Sequence, residues 1–217
     1  MNRDEFRGRD ELNTINHSNG NCFPVDKISE GTWFGFNQQG VVMALLNRYQ
    51  DSQVLTKTSR GILIPQLLQS NSIDSTLNQL LAKYLFNPFD LVTTNKAHLI
   101  QYSWTGNKLI KVKQSTPFFI SSSSVDSQIV LSHRMNLFTK FSPVNEEQIL
   151  TQLHLSQDKL DKSASIFMSR EETHTKSISQ VIIEKNEINY YYFTENNLQK
   201  LEMERPYDYA KACQIVT

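Results

Sequence analysis

Gly31-Thr32-Trp33-Phe34-Gly35-Phe36-Asn37 and Val41-Val42-Met43-Ala44-Leu45-Leu46-Asn47 are two apolar runs separated by Gln38-Gln39-Gly40. Aromatic and β-branched residues suit a pleated surface. A glycine in a short polar connection marks a tight turn. The segment predicts a β-hairpin. Its second run is apolar at consecutive positions, which predicts a buried strand.

Helical periodicity follows. Leu77, Leu80, Leu81, Tyr84 and Leu85 recur at helical spacing and form one apolar stripe. Ser72 or Asp74 caps its start, and Asn87-Pro88 ends it. A shorter helix starts near Pro65. Short strands are expected at 91–94, 97–103, 109–113 and 118–121, with Thr105-Gly106-Asn107 as one turn. Asp126 opens a further helix with apolar Val130, Leu131, Met135, Leu137, Phe138 and Phe141. Asn145 caps another, with Glu146 and Glu147 where the helix dipole favours them. Strands at 178–184 and 188–193 meet at Lys185-Asn186-Glu187. Before the hairpin, the first thirty residues read as a loop, because turn-forming residues dominate 13–21 and Pro24 interrupts regular structure. The order of strands and helices predicts an α+β fold with antiparallel sheets covered by helices.

Composition narrows the function. The chain has 217 residues, with 22 Lys+Arg against 22 Asp+Glu, so it carries no formal net charge. A neutral chain without a basic cluster is a poor nucleic-acid binder. No window approaches 18 apolar residues, so no membrane-spanning helix is expected. Two cysteines, Cys22 and Cys213, exclude a disulfide scaffold and fit a reducing, cytoplasmic setting. Seven glycines are few against a usual share of about 7%, and neither a dinucleotide nor a P-loop fingerprint occurs.

Candidate chemistry is sparse. His17, His98, His133, His154 and His174 form no short-spaced pair of the kind zinc sites show. Ser121 to Ser124 lacks the nucleophile elbow of serine hydrolases. Tyr190-Tyr191-Tyr192-Phe193 either faces a ligand on one side or packs aromatics on both faces of a strand. Asn2-Arg3-Asp4-Glu5-Phe6, taken alone, is a solvated terminus.

That segment reads differently beside two others. Asn2-Arg3-Asp4-Glu5-Phe6, Glu30-Gly31-Thr32-Trp33-Phe34-Gly35 and Ala44-Leu45-Leu46-Asn47-Arg48-Tyr49 together resemble the NRDE family, which includes the transport-and-Golgi-organisation proteins. Ser59-Arg60-Gly61, the serine run with Val125-Asp126, and Thr175-Lys176-Ser177-Ile178-Ser179 agree in order. The resemblance spans nearly all of 1–217 as one domain. It implies a four-layer αββα sandwich of two antiparallel sheets, as in the N-terminal-nucleophile hydrolases. In the related bile-salt hydrolases and penicillin V acylases, a first-residue cysteine attacks the amide and its own α-amine takes the proton.

Carried onto this sequence, the resemblance makes Arg3 the charge that lowers a thiol pKa and Asp4 the partner of an α-amine. Asn47 becomes an oxyanion donor, at the end of a buried strand and close to Arg3 and Asp4. Ser123, Thr175 and Ser177 line the pocket, and Asn2 and Glu5 order the turn. The implied ligand is a small amide or acyl compound, hydrolysed at a non-peptide C–N bond without a metal or cofactor. Family members place a cysteine-bearing strand before the motif, whereas this sequence begins Met1-Asn2. The expectation is therefore a truncated first strand, an absent nucleophile, and a marginally stable chain inactive as an amidase. The alternative implied by the resemblance is a non-catalytic binding or trafficking protein for haem or lipid.

Overall fold

The computed structural model describes residues 1–6, 15–54, 58–95, 97–143, 145–158, 161–184, 187–194 and 211–216. They fall into two compact units. One takes in 1–9, 119–121 and 128–217 and holds a four-stranded sheet; the other takes in 10–118 and 122–127 and holds a seven-stranded sheet. Both sheets are antiparallel and helices accompany them, so the chain is α+β with two antiparallel sheets.

The seven-stranded unit is a simple meander. β2 (Ile15–Ser18), β3 (Asn21–Pro24), β4 (Phe34–Asn37), β5 (Val42–Asn47), β6 (Phe89–Thr94), β7 (Leu99–Trp104) and β8 (Leu109–Gln114) lie side by side in chain order. The hairpin expected at 31–47 is β4–β5. Its turn is built by Asn37, whose Oδ1 accepts the backbone N–H of Gln39 at 3.2 Å and of Val41 at 3.0 Å. Gly40 closes it at φ 79°, a conformation that glycine adopts without strain.

The expected loop over the first thirty residues is not what forms. β1 (Asn2–Phe6), β2 and β3 are strands. Asn19-Gly20, both at positive φ (52° and 73°), is the two-residue turn joining β2 to β3. Asn-Gly is the strongest short-range hairpin signal, and the polar composition around it masked it. Cys22 lies in β3 and is fully buried. The strand expected at 118–121 is also absent. Phe119 stacks on Phe138 at 5.0 Å, so this apolar stretch packs against a helix and joins no ladder. The connection at Lys185-Asn186 lies outside the described residues.

One face of the seven-stranded sheet carries the core. Met43, Leu45, Phe89, Leu91 and Tyr102 pack on Leu63, Ile64, Leu67 and Leu68 of α1 (Leu63–Leu68) and on Leu77 and Leu80 of α2 (Ile73–Lys83). Each such side chain contributes roughly 1.5–3 kcal/mol of burial. Ser72 caps α2 by accepting from Ser75 N–H at 3.3 Å. Asp74 instead accepts from Tyr102 Oη at 3.1 Å and from Lys111 Nζ at 2.7 Å.

α2 stops at Lys83, before the expected Asn87-Pro88 break. Leaving the helix at Tyr84 lets the extended chain bury Phe86 completely, edge-on to Tyr84 at 5.9 Å and to Phe89 at 6.3 Å. Trp104 Nε1 holds the Phe86 carbonyl at 3.2 Å. Leu85, part of the expected stripe, is left 56% exposed.

The four-stranded unit orders its sheet β1, β9 (Thr173–Glu184), β10 (Glu187–Thr194) and β11 (Lys211–Val216). Aromatics do occupy both faces of β10: Tyr190 and Phe193 are buried and Tyr191 and Tyr192 half-buried. Leu150, Ile178 and Phe193 form a small core beneath α4 (Glu146–Gln148), which Asn145 caps, and the π-helix Ile149–His154 that continues it. α3 (Ser127–Thr139) buries Val130 and, four residues on, Arg134. Among the described residues, no helix is long and apolar enough to cross a membrane.

Two motif glycines distant in sequence meet in the seven-stranded unit. Thr32 N–H donates to the Gly61 carbonyl at 3.0 Å. A Cβ built on Gly31 would lie 2.8 Å from Gly61 Cα, and one on Gly61 would lie 2.8 Å from Gly31 Cα. Backbone cannot yield as a side-chain tip can. Gly31→Ala and Gly61→Ala should each destabilise by about 1–3 kcal/mol in denaturant unfolding. A loss under about 0.5 kcal/mol, the scale of an ordinary surface change, would show that the two backbones part easily.

Candidate functional site

Side chains alternate along a strand, so Asn2 and Asp4 share one face of β1 while Arg3 and Glu5 share the other. The contacts agree: Arg3 Nη2 lies 3.3 Å from Glu5 Oε2. Across the ladder Asn2 stands opposite Ile178 and Arg3 opposite Ser177, but Asp4 stands opposite Thr175. Lys176 is the extra residue of a β-bulge. A bulge re-aims the residues beyond it. Here it sets Thr175 beside Asp4 and leaves Ser177 across from Arg3.

The Asp4 face is the more elaborated. Thr175 Oγ1 donates to Asp4 Oδ1 at 2.6 Å and itself accepts Met168 N–H at 3.0 Å. Arg134 Nη2 lies 3.9 Å from Asp4 Oδ2, a loose pairing. The rest of that guanidinium is anchored, with Nε on the Ala164 carbonyl at 3.2 Å and Nη1 on Ser121 Oγ at 2.8 Å. The Arg134 side chain is 5% exposed and that of Asp4 28%, so the carboxylate forms the solvent-reached end of the cluster.

Electrostatics follow from this crowding. Desolvation pushes the Asp4 carboxyl above the ordinary 3.8 of an aspartate. The Thr175 hydrogen bond and the charges of Arg134, Arg170 and His174 act in the opposite sense. Burial also lowers Arg134; the charge of Asp4 counters this and that of Arg170 adds to it.

Asn2 is no turn residue. Its Nδ2 donates to the carbonyls of His154 at 2.8 Å and Ile166 at 2.9 Å, and its Oδ1 lies 2.6 Å from His154 Nδ1. One side chain thereby ties β1 to the end of the π-helix and to the segment before β9.

The remaining expected residues belong to the seven-stranded unit. Ser123 Oγ donates to the Val125 carbonyl at 2.6 Å and accepts Val125 N–H at 3.3 Å, holding the turn into α3. Asn47 ends β5 opposite Phe89, and its Nδ2 donates to Tyr49 Oη at 2.8 Å. The four expected residues on β1 and β9 thus divide into Asp4 with Thr175 on one face and Arg3 with Ser177 on the other.

Sequence reading missed Arg134, His154 and a second network. Asp90 accepts from Ser103 Oγ at 2.5 Å, Gln101 Nε2 at 2.9 Å and Arg48 Nη1 at 3.0 Å. Arg134 stands one helical turn after Val130, and the two are the buried residues of α3.

The family described as Transport and Golgi organisation 2 matches residues 1–206. The chain belongs to that family. No curated protein matches it. The NRDE motif of this family member is thus a strand that sends alternate residues to its two faces.

The raised Asp4 pKa fixes a pH dependence. Between 3.8 and the folded value, the folded chain keeps a proton that the unfolded chain has lost. Folding stability therefore falls as pH rises through that window. Asp4→Asn removes the titration. The melting temperature of Asp4→Asn minus that of the wild type should grow as pH climbs through the window and level off above it. A difference that stays flat from about pH 3.5 to about pH 8 would show that burial does not strain the carboxylate.

Proposed function

We propose that the four-stranded unit binds a small amide or acyl ligand through Asp4, Thr175 and Arg134. In this reading the protein is a relative of the cysteine N-terminal-nucleophile amidohydrolases that holds such a group without cleaving its C–N bond. The reading is carried by one arrangement: a carboxyl group fixed by Thr175 at 2.6 Å, backed by Arg134 at 3.9 Å, and left 28% exposed. A carboxyl with a raised pKa accepts a hydrogen bond when ionised and donates one when protonated. Arg134 supplies positive charge for a carbonyl or acyl oxygen. Cys22 adds no attacking group, because it is fully buried in β3.

The enzymatic form of the same reading is hydrolysis of a non-peptide amide by a cysteine thiol. The competing ligands are haem and lipid. Thermal shifts over a panel of N-acyl amides, with parallel titrations of haem and fatty acid, separate these readings. Amide binding should weaken about tenfold or more in Asp4→Ala, the scale of a lost charge-assisted hydrogen bond. Cleavage abolished by thiol alkylation would replace the binding reading with the catalytic one. A shift with haem or fatty acid alone, unchanged in Asp4→Ala, would refute both.

A further inference from the structure

His154 ends the π-helix and is half-buried. Its surroundings fix its chemistry through a chain of hydrogen bonds. Asn2 Nδ2 meets two carbonyl oxygens, at 2.8 and 2.9 Å, and only the amide nitrogen can donate to both. The amide cannot be turned round, so the atom facing the imidazole is Asn2 Oδ1, an acceptor. His154 Nδ1 must then be the donor, at 2.6 Å. The proton of the neutral ring sits on Nδ1, and Nε2 carries the lone pair.

Nε2 has no hydrogen-bond partner among the described residues, and it is not among the buried atoms left without one. It stands as an oriented acceptor without a protein partner among the described residues. Burial, and secondarily the Met1 amino charge, keep the ring well below the usual 6.5, so the lone pair persists at neutral pH.

An imidazole held by one nitrogen and open at the other is how proteins prepare a proton acceptor. Asn2 and Asp4 lie two residues apart on one face of β1, a rise of about 6.6 Å. The imidazole held by Asn2 and the Asp4 carboxyl therefore both stand on that face of β1. An amide group presents its N–H and C=O in opposite directions, so it can address one group with each end.

We propose that His154 is a binding residue of this site, with Nε2 accepting the N–H of an amide ligand and Asn2 acting as the residue that positions it. The identity of the ligand rests on the reading of the Asp4 cluster given above; the orientation of His154 does not.

Diethyl pyrocarbonate, which acylates neutral imidazole nitrogen, tests this on the full chain. Initial rates are followed residue by residue by peptide mass spectrometry, with exposed His98 as internal reference. An ordinary imidazole loses about tenfold in rate between about pH 7.5 and about pH 5.5 as it protonates, whereas His154 should lose less than about twofold. Nitrogen-correlated proton NMR should report the Nδ1–H tautomer for His154. N-acetylglycinamide should slow the labelling of His154 and leave that of His98 unchanged.

A His154 rate that falls about tenfold over this range, no labelling of His154 while His98 reacts, or an Nε2–H tautomer would each overturn the inference. Labelling as expected but unaffected by N-acetylglycinamide would overturn the amide ligand, and with it the binding reading above. Asn2→Ala adds a readout that does not need a ligand: the Nδ1–H tautomer should give way to a mixture. An unchanged tautomer in that variant would remove Asn2 from its positioning role.

Discussion

The antiparallel pairing of β1 with β9 is the constraint on which the four-stranded unit turns. It is a short ladder with one irregularity, the extra Lys176. A strand shifted by one residue exchanges its faces. Without the bulge Asp4 would stand opposite Lys176, and the Thr175 hydroxyl would lose its carboxylate. With it, Arg3 and Glu5 neutralise each other on one side while Asn2 and Asp4 serve the other. Adjacent residues of one motif thus make separate contacts on the two faces of the strand.

Three polar side chains of this unit are each held from more than one direction. Asn2 uses both amide protons and its oxygen. Thr175 accepts from a backbone N–H and donates to a carboxylate. Arg134 is anchored by a carbonyl and a hydroxyl, with its carboxylate at a loose 3.9 Å. A buried donor or acceptor left unmatched costs about 1–3 kcal/mol. Such groups therefore fix geometry more sharply than apolar contacts do. The seven-stranded unit applies the same economy at Asp90, where a hydroxyl, an amide and a guanidinium converge on one carboxylate.

The sequence was most readable where structure is local. The 31–47 hairpin, α2 with its Ser72 cap, the 105–107 turn and the Asn145 cap rest on residues within a few positions of one another. The Asn19-Gly20 hairpin is equally local, but the polar residues around it hide the turn signal. The site was less legible. Asp4 and Thr175 were marked by motif, but the partition of the motif by a bulge depends on pairing with a distant strand. Arg134 and His154 were invisible as site residues, because a single helical arginine and a lone histidine acquire meaning only from what faces them. The early exit from α2 had the same kind of cause, a distant core that needed Phe86 more than the helix needed Leu85.

The two sheets also differ in how much chain must be gathered to make them. In the meander every strand pairs with its sequence neighbours, and apart from the β5–β6 connection, which carries α1 and α2, the links are short, so the entropy of closing them is small. The Asp4–Thr175 contact joins positions 171 residues apart. Contacts of such separation form late, because a long loop must close before they reward it. During synthesis, the strand bearing the motif emerges before β9 and waits while the whole meander is made. The Asp4 face is thus completed late in assembly, and any delay in β9 leaves β1 as an unpaired edge exposed to other chains.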